Sequence, residues 1–563
     1  MAFGVAAQHR FRHHFSIHAN YCSSSHSGNE LPIHGVSPSR CSTKCANGHS
    51  SIRFRTVVKS SANKNPSTLP EKPKPPVAGN RGDDSDPDRG PDMKPFSSVM
   101  HRLREEFRVD GLGMQILSIA LPAALALAAD PITSLVDTGF VGHIGSAELA
   151  AVGVSGAVFN LVSKLFNVPL LNVTTSFVAE EQASVLKVAG DCGETGEDQQ
   201  NKIFLPSVSN AIILAAALGI IEAVALATGS DFLMNTMGIP VDSPMRLPAE
   251  QFLTLRAFGA PPIVVALAAQ GTFRGFKDTK TPLYAVGAGN FLNALLDLIL
   301  IFFVGLGISG AAIATVTSEY LTALILLWKL NDKVLLVSPS ISGERVAKYL
   351  KSGALLTGRT VAVLTITTLA TSLAAREGPI QMAGFQICFE VWLALSLLND
   401  ALALAGQTLL ASDYSQGNYG LARQVTYKVL QVSLIMGVAL AIMLFLGFGA
   451  LSSLFSTDSE VLRIARSGTL FVAGSQPLNA IAFVLDGLYY GVSDFGFAAY
   501  SMVLVALISS AFILVAAPSY GVAGVWGGLF LFMALRVAAG ALRLSTRTGP
   551  WRLLWSETEK DST

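Results

Sequence analysis

Charge is scarce in this sequence. Only 14% of its 563 residues are Asp, Glu, Lys or Arg and 51% are hydrophobic, where an ordinary soluble protein carries about 25% charge. A water-soluble fold of this length is excluded, and a membrane protein of many spans fits. The net charge of +1 supplies no bulk field for nucleic acid or another polyion. Histidine is missing where a membrane-embedded enzyme would need it. Seven of the nine lie in residues 1–70, which leaves His101 and His143 beside the hydrophobic part. No catalytic cluster is expected, and no cofactor. Cysteine is equally sparse: Cys22, Cys41, Cys45, Cys192 and Cys388. Cys41 and Cys45 have no second pair to complete a metal site, so no metal is expected. Cys388 reads as a small apolar residue in a helix. No filter-like loop repeats, which argues against a channel.

The first 70 residues lack acid and lack an apolar segment of signal-peptide length. They hold eight Lys or Arg against the single acid Glu30, and many serines. That composition predicts an organelle transit peptide, plastid rather than mitochondrial because no amphipathic Arg helix is evident. A cytosolic tail is the alternative. Residues 71–110 begin Pro-rich and turn acidic from Asp83 to Asp92, which predicts a disordered linker.

Long apolar runs are abundant from Gly111 onward. Twelve are read: about 112–140, 149–179, 203–228, 253–273, 281–304, 308–330, 352–375, 380–411, 426–455, 465–490, 495–517 and 521–544. Each reaches the ~20 residues that a helix needs to cross the hydrocarbon core. Connections after even-numbered spans and the two ends hold eighteen basic residues, among them Lys187, Arg274, Lys277, Arg345, Lys348 and Arg543. Those after odd spans hold five: Arg246, Arg256, Arg376, Arg463 and Arg466. The positive-inside rule then puts both ends of the membrane domain on the side of the basic loops, which in a plastid is the stroma.

The chain also repeats itself. Gly271-Thr272-Phe273-Arg274-Gly275-Phe276-Lys277-Asp278 has a counterpart 216 residues later in Gly487-Leu488-Tyr489-Tyr490-Gly491-Val492-Ser493-Asp494. Gly307-Ile308-Ser309-Gly310 has one 214 residues later in Gly521-Val522-Ala523-Gly524. Two six-span copies of the same topology predict an N-lobe over 111–335 and a C-lobe over 345–545, with a tail at 546–563. An alternating cavity between lobes is the usual use of such symmetry.

Within the fifth run lies Gly289-Asn290-Phe291-Leu292-Asn293-Ala294-Leu295-Leu296-Asp297. Asn293 and Asp297 stand four apart and share a helix face. A carboxylate at membrane depth costs at least about 2.5 kcal/mol unless paired or hydrated, so it marks a functional site by default. The alternative is a polar cluster that locks helices together. Asp137, near the end of the first run, is a second carboxylate that could share the site.

The sequence resembles the multidrug and toxic compound extrusion family, in its plant DETOXIFICATION branch. The resemblance covers residues 110–545. It rests on Leu121-Pro122 followed by Val136-Asp137-Thr138, on Glu148-Leu149-Ala150-Ala151-Val152-Gly153, on Arg274-Gly275-Phe276-Lys277-Asp278-Thr279, and on Gly289 through Asp297. Ala374-Ala375-Arg376-Glu377-Gly378 and Ala405-Gly406-Gln407 resemble the branch with citrate exporters and plastid members. What the resemblance implies is an all-α fold of about twelve spans and a secondary antiporter that expels organic solutes as H⁺ or Na⁺ enters. It implies a cation-coupling site at Asp137, Asn293 and Asp297, with Pro122 letting the first helix bend. The C-lobe departs from the pattern. Arg359 stands near the position of a family Glu, and Leu478 or Asn479 near that of a family Asp, with Asp486 further on.

Other charges fall inside the runs: Lys164, Glu222 and Glu319 in the N-lobe, and Arg359, Glu390, Asp400, Asp486 and Arg536 in the C-lobe. Arg359 facing a cavity would bind carboxylate bidentately, with Lys164 helping and Glu390 and Asp400 as further candidates to line the substrate site. The rival is an Arg359–Glu390 or Arg359–Asp400 salt bridge without a ligand. The expectation is a monomeric plastid-envelope antiporter in lipid, termini in the stroma, exporting a small organic solute such as citrate or a phenolic carboxylate. The alternatives are a lipid-linked-substrate flippase of the same superfold and an exporter of cationic xenobiotics.

Overall fold

Lipid offers no hydrogen bonds, so every backbone group in an apolar run must be satisfied internally, and a helix does this. The computed structural model describes residues 111–191, 205–237, 239–336, 343–456 and 458–556. Among these there are helices and connections but no strand. The expected transit peptide, the linker and Cys22, Cys41, Cys45 and Cys192 lie outside the described residues.

The first lobe consists of α1 (Gly111–Gly142), α2 (Ser146–Asp191), α3 (Pro206–Thr228), the short α4 (Ser230–Thr236), α5 (Arg246–Ala257), α6 (Ala260–Gly275), α7 (Lys280–Asp297) and α8 (Gly307–Lys333). A π-helical segment, Leu298–Phe303, extends α7. The second lobe consists of α9 (Gly343–Arg376), α10 (Pro379–Gln416), α11 (Tyr419–Ser452), α12 (Ser459–Ser467), α13 (Thr469–Gly474), α14 (Gln476–Gly491), α15 (Phe495–Tyr520) and α16 (Val522–Thr546). Ten helices are long and apolar enough to cross a membrane, or up to 12 spans if each of two bent pairs is one span. Their outer faces suit lipid: Leu434, Val438, Ile442 and Phe445 lie exposed along α11. Hydroxyls inside spans fold back on their own helix, as Thr175 does on the Leu171 carbonyl and Thr426 on that of Ala422, which removes their cost in lipid.

The bends correct the sequence reading of spans four and ten. Arg246 and Arg463 are expected in the connections, and Arg256 and Arg466 at the very start of the runs. They instead belong to α5 and α12, the first parts of bent spans that turn by 45° and 49°. Each second part starts with proline in its first turn, Pro261 or Pro477, which has no N–H to continue the preceding helix.

The repeat seen in the sequence is a repeat of packing. A Cβ on Gly219 would lie 2.6 Å from the Pro261 Cα, and one on Gly437 would lie 2.7 Å from the Pro477 Cα. Gly271 and Gly275 let α6 close on Leu171 and Val178 of α2, as Gly487 and Gly491 let α14 close on Ala403 and Gln407 of α10. The turns that follow match too. Lys277 and Ser493 both take a left-handed conformation, φ 61° and 56°. Next to them, Asp278 accepts from Lys333 at the end of α8 (2.8 Å), and Asp494 accepts from Arg543 at the end of α16 (2.9 Å). Asp278 lies outside the spans. Burial pulls its carboxyl up, but the hydrogen bonds from Lys333 and Thr281 outweigh burial and hold it below the usual carboxylate range.

Residues 551–556 of the tail are folded. A short helix α17 (Trp551–Ser556) docks with Trp551 fully buried, its indole N–H donating to Asp494 at 3.2 Å. An apolar ring with one polar edge finds both its partners there.

The two lobes meet toward the end at which α1 and α9 begin. Phe177 packs edge-on against Tyr349 at 4.8 Å and against Phe495 at 5.9 Å. Gln407 donates to Ser176 Oγ (2.9 Å) and to the Asn172 carbonyl (3.0 Å). Tyr349 donates to the Ser207 carbonyl, and Arg345–Glu181 (3.3 Å) and Lys348–Glu180 (3.8 Å) are ion pairs.

Candidate functional site

The N-lobe site is assembled by α1 and α7, which pack against each other. Asn293 and Asp297, one turn apart on α7, are both buried, at 1% and 0% exposure. The Asn293 Nδ2 donates to Asp137 Oδ1 at 2.7 Å and to Asp297 Oδ2 at 3.3 Å, so one amide bridges two carboxyls. Through that amide the two carboxyls share one donor. Two carboxylates this close cannot both hold a full charge without a proton or cation between them. Two acceptors are buried and unpartnered, Asp297 Oδ1 and Asn293 Oδ1. The helix becomes π-helical directly after Asp297, a distortion common at functional sites.

A second charged pair adjoins it. Arg256 of α5 hydrogen-bonds Glu319 of α8 and lies 4.8 Å from the centre of the Phe159 ring. Its charge reaches Asp130 and Asp137 of α1. Sequence reasoning placed Arg256 at the flank of the fourth run and did not single it out as a site residue. Proline-led α6 just after it was the available signal for a bent span.

Pro122 lies inside α1, as does Pro131. Pro122 cannot donate to the carbonyl one turn back. The neighbouring Ile119 carbonyl accepts from Thr279 Oγ1 at 2.9 Å, in the turn between α6 and α7.

In the C-lobe, Arg359 of α9 hydrogen-bonds Asp486 of α14, and so does Arg536 of α16. This corrects the rival pairings: Arg359 bonds neither Glu390 nor Asp400. The reason is placement. Glu390 is exposed and accepts from Gln386 at 2.7 Å on its own helix, and Asp400 is exposed on α10, within electrostatic reach of Arg359 and Arg536. Both arginines keep a buried Nε without a partner. Lys164 is exposed on α2. Cys388 is buried, its thiol donating to the Ala465 carbonyl.

Two pseudo-symmetric helical lobes that meet at one end, one of them bringing Asp137 and Asp297 onto a shared amide, are an architecture that secondary membrane transporters use. The MatE family model matches residues 199–299 and 358–515. Protein DETOXIFICATION 44, chloroplastic, of Arabidopsis thaliana is 65% identical over 532 residues, 93% of this chain and 98% of that protein. Protein DETOXIFICATION 45, chloroplastic, of the same plant is 50% identical over 78% of this chain and 79% of its own length. Among solved structures, a MATE transporter in its bent conformation is similar with a TM-score of 0.69 at 18% identity, covering 81% of this chain and 98% of that one. The chain belongs to the multidrug and toxic compound extrusion (MATE) family of antiporter-class efflux transporters, which are not enzymes in general. With its chloroplastic relatives and its many spans, it is a multi-pass chloroplast membrane protein.

Proposed function

We propose that this transporter exports a small organic solute from the stroma across the chloroplast envelope in exchange for H⁺, with both termini on the stromal side. The observation that carries the reading is the Asp137–Asn293–Asp297 site. It has two facing carboxyls, one bridging amide and two unpartnered acceptor oxygens. Such a pair takes up one positive charge at a time. Na⁺ would serve the same oxygens and is the competing ion. The stromal assignment is supported by the basic loops on the side of the termini.

The substrate reading is an organic anion, such as citrate or a phenolic carboxylate. Its support is that Arg359 and Arg536 converge on the single carboxylate Asp486 and each keeps a free Nε. A carboxylate substrate would take the spare donors. Exposed Glu390 and Asp400 on α10 favour a second reading, in which the solute is a cation.

The test is uptake into proteoliposomes of citrate, a phenolic carboxylate and an organic cation, with the pH and Na⁺ gradients imposed separately. Anion accumulation driven by the pH gradient alone is expected. Accumulation that follows only the Na⁺ gradient would replace the ion, and cation accumulation would replace the substrate class.

A further inference from the structure

Glu222 plays no part in the coupling site or in the C-lobe cluster. It lies on α3, sixteen residues into Pro206–Thr228 and about 24 Å along it at 1.5 Å per residue, and is 4% exposed. Its Oε1 accepts a hydrogen bond from Ser163 of α2, and its Oε2 is buried with no partner. One turn along α2 from Ser163, the Asn167 Oδ1 is also buried and unpartnered.

The helices packed on α3 are α2, α4, α5, α6 and α9. Their cations are engaged elsewhere or exposed, Lys187, Lys351 and Arg376 among the exposed ones. Arg256 pairs with Glu319, Arg246 with Glu250 and Asp231, and Arg359 with Asp486. Lys164 is exposed, and the α9 cations Arg345 and Lys348 pair with Glu181 and Glu180. Buried Arg274 of α6 has Asp400 and Asp130 as its electrostatic partners. Among the described residues, Ser163 is the hydrogen-bond partner of Glu222, and no cation pairs with it.

A carboxylate held in a membrane protein by one hydroxyl, with no cation, is far costlier than the neutral acid. The neutral acid has one O–H to donate, and the unpartnered Asn167 Oδ1 one turn from its partner gives that proton a polar setting. We infer that Glu222 is a second proton-binding site of the carrier, separate from Asp137, Asn293 and Asp297. The proton adds to one carboxylate oxygen when the site is shielded and leaves to water when movement of α3 against α2 wets it. The inference rests on the proton-exchange reading only for its transport consequence, since protonation of Glu222 is measurable without any gradient.

The experiment is infrared difference spectroscopy of the full-length protein in lipid, titrated with pH, alongside pH-dependent counterflow. Glu222→Gln keeps the size and the acceptor for Ser163. It is expected to delete one protonated-carboxyl band that Asp297→Asn leaves in place, and to change the steepness of the counterflow profile by about one proton. Ser163→Ala is expected to shift that band without deleting it, which keeps the test alive if the Gln variant does not fold. A spectrum that is unchanged in both variants would overturn the site. If Glu222→Gln removes its band while Asp297→Asn transports normally, the second site stands and the reading of the first is the one that fails.

Discussion

One side-chain amide holds the N-lobe site together, because Asn293 donates to both Asp137 and Asp297. Asp297→Asn keeps shape and hydrogen bonding but removes the titratable group. Solute accumulation against a gradient should be lost while binding persists, as read by gradient-driven uptake beside equilibrium binding. The Asp137→Asn, Asp297→Asn double variant should be no worse than either single, since interacting sites do not add. Asn293→Ala should be milder, at about 1–3 kcal/mol for a lost buried partner. Arg359 makes a different prediction. If it serves a carboxylate substrate, Arg359→Ala should weaken binding several-fold and Arg359→Lys only partly restore it, for want of the planar fork. Asp486→Asn, which frees both arginines, should strengthen it. Equal loss in all three, measured by ligand binding, would make the cluster purely structural. The i,i+4 spacing made Asn293 and Asp297 legible in the sequence. The Arg359–Asp486 bond was not, because its partners lie 127 residues apart on different helices and no local pattern links them.

At the scale of the element, membrane thickness made the twelve spans legible, since each crossing demands the same apolar length. The bends were harder to see, because the starts of their first parts, in α5 and α12, carry charge and read as connections. Glycine reveals what repetition is for. A Cβ on Gly487 would strike the Ala403 backbone of α10, while one on Gly474 meets nothing within 4 Å. Gly487→Ala should therefore destabilise the protein by about 1–3 kcal/mol through overpacking. Gly474→Ala, at the end of α13, should lack that clash cost. Thermal melting in detergent compares them, and equal melting points would show that α10 and α14 can separate freely.

At the scale of the molecule, the pseudo-symmetry of the lobes ends where chemistry begins. Both use an aspartate in equivalent turns, Asp278 and Asp494, to hold the end of a lobe's last span. Asp278 has its carboxyl held below the usual range when folded. Its contribution is therefore complete above the unfolded pKa of about 3.9 and is lost as pH falls through the lower folded value. Asp278→Asn should lower the melting temperature at neutral pH, and the difference should shrink in acid. A constant difference down to pH 2 would contradict this account. The matched glycines disclosed the repeat from sequence alone. The differing contents of the two lobes, a carboxyl pair in one and an arginine-rich cluster in the other, became visible only when distant helices were brought together.

Glu181 serves two masters at the meeting point of the lobes. Its Oε2 takes the backbone N–H of Ser207 at 2.8 Å, in the first turn of α3, while its Oε1 faces Arg345 at 3.3 Å. The carboxylate is thus held in place by its own lobe before it grips the other. The Arg345 side chain is 48% exposed and that of Lys348 is 58%, so dissolved ions screen both attractions over a Debye length of about 8 Å at 0.15 M ionic strength. Parting the lobes on this side is therefore expected to depend on the surrounding electrolyte. Raising salt on that face alone should shorten the closed dwell in single-molecule recordings, and Glu181→Gln should remove much of that dependence.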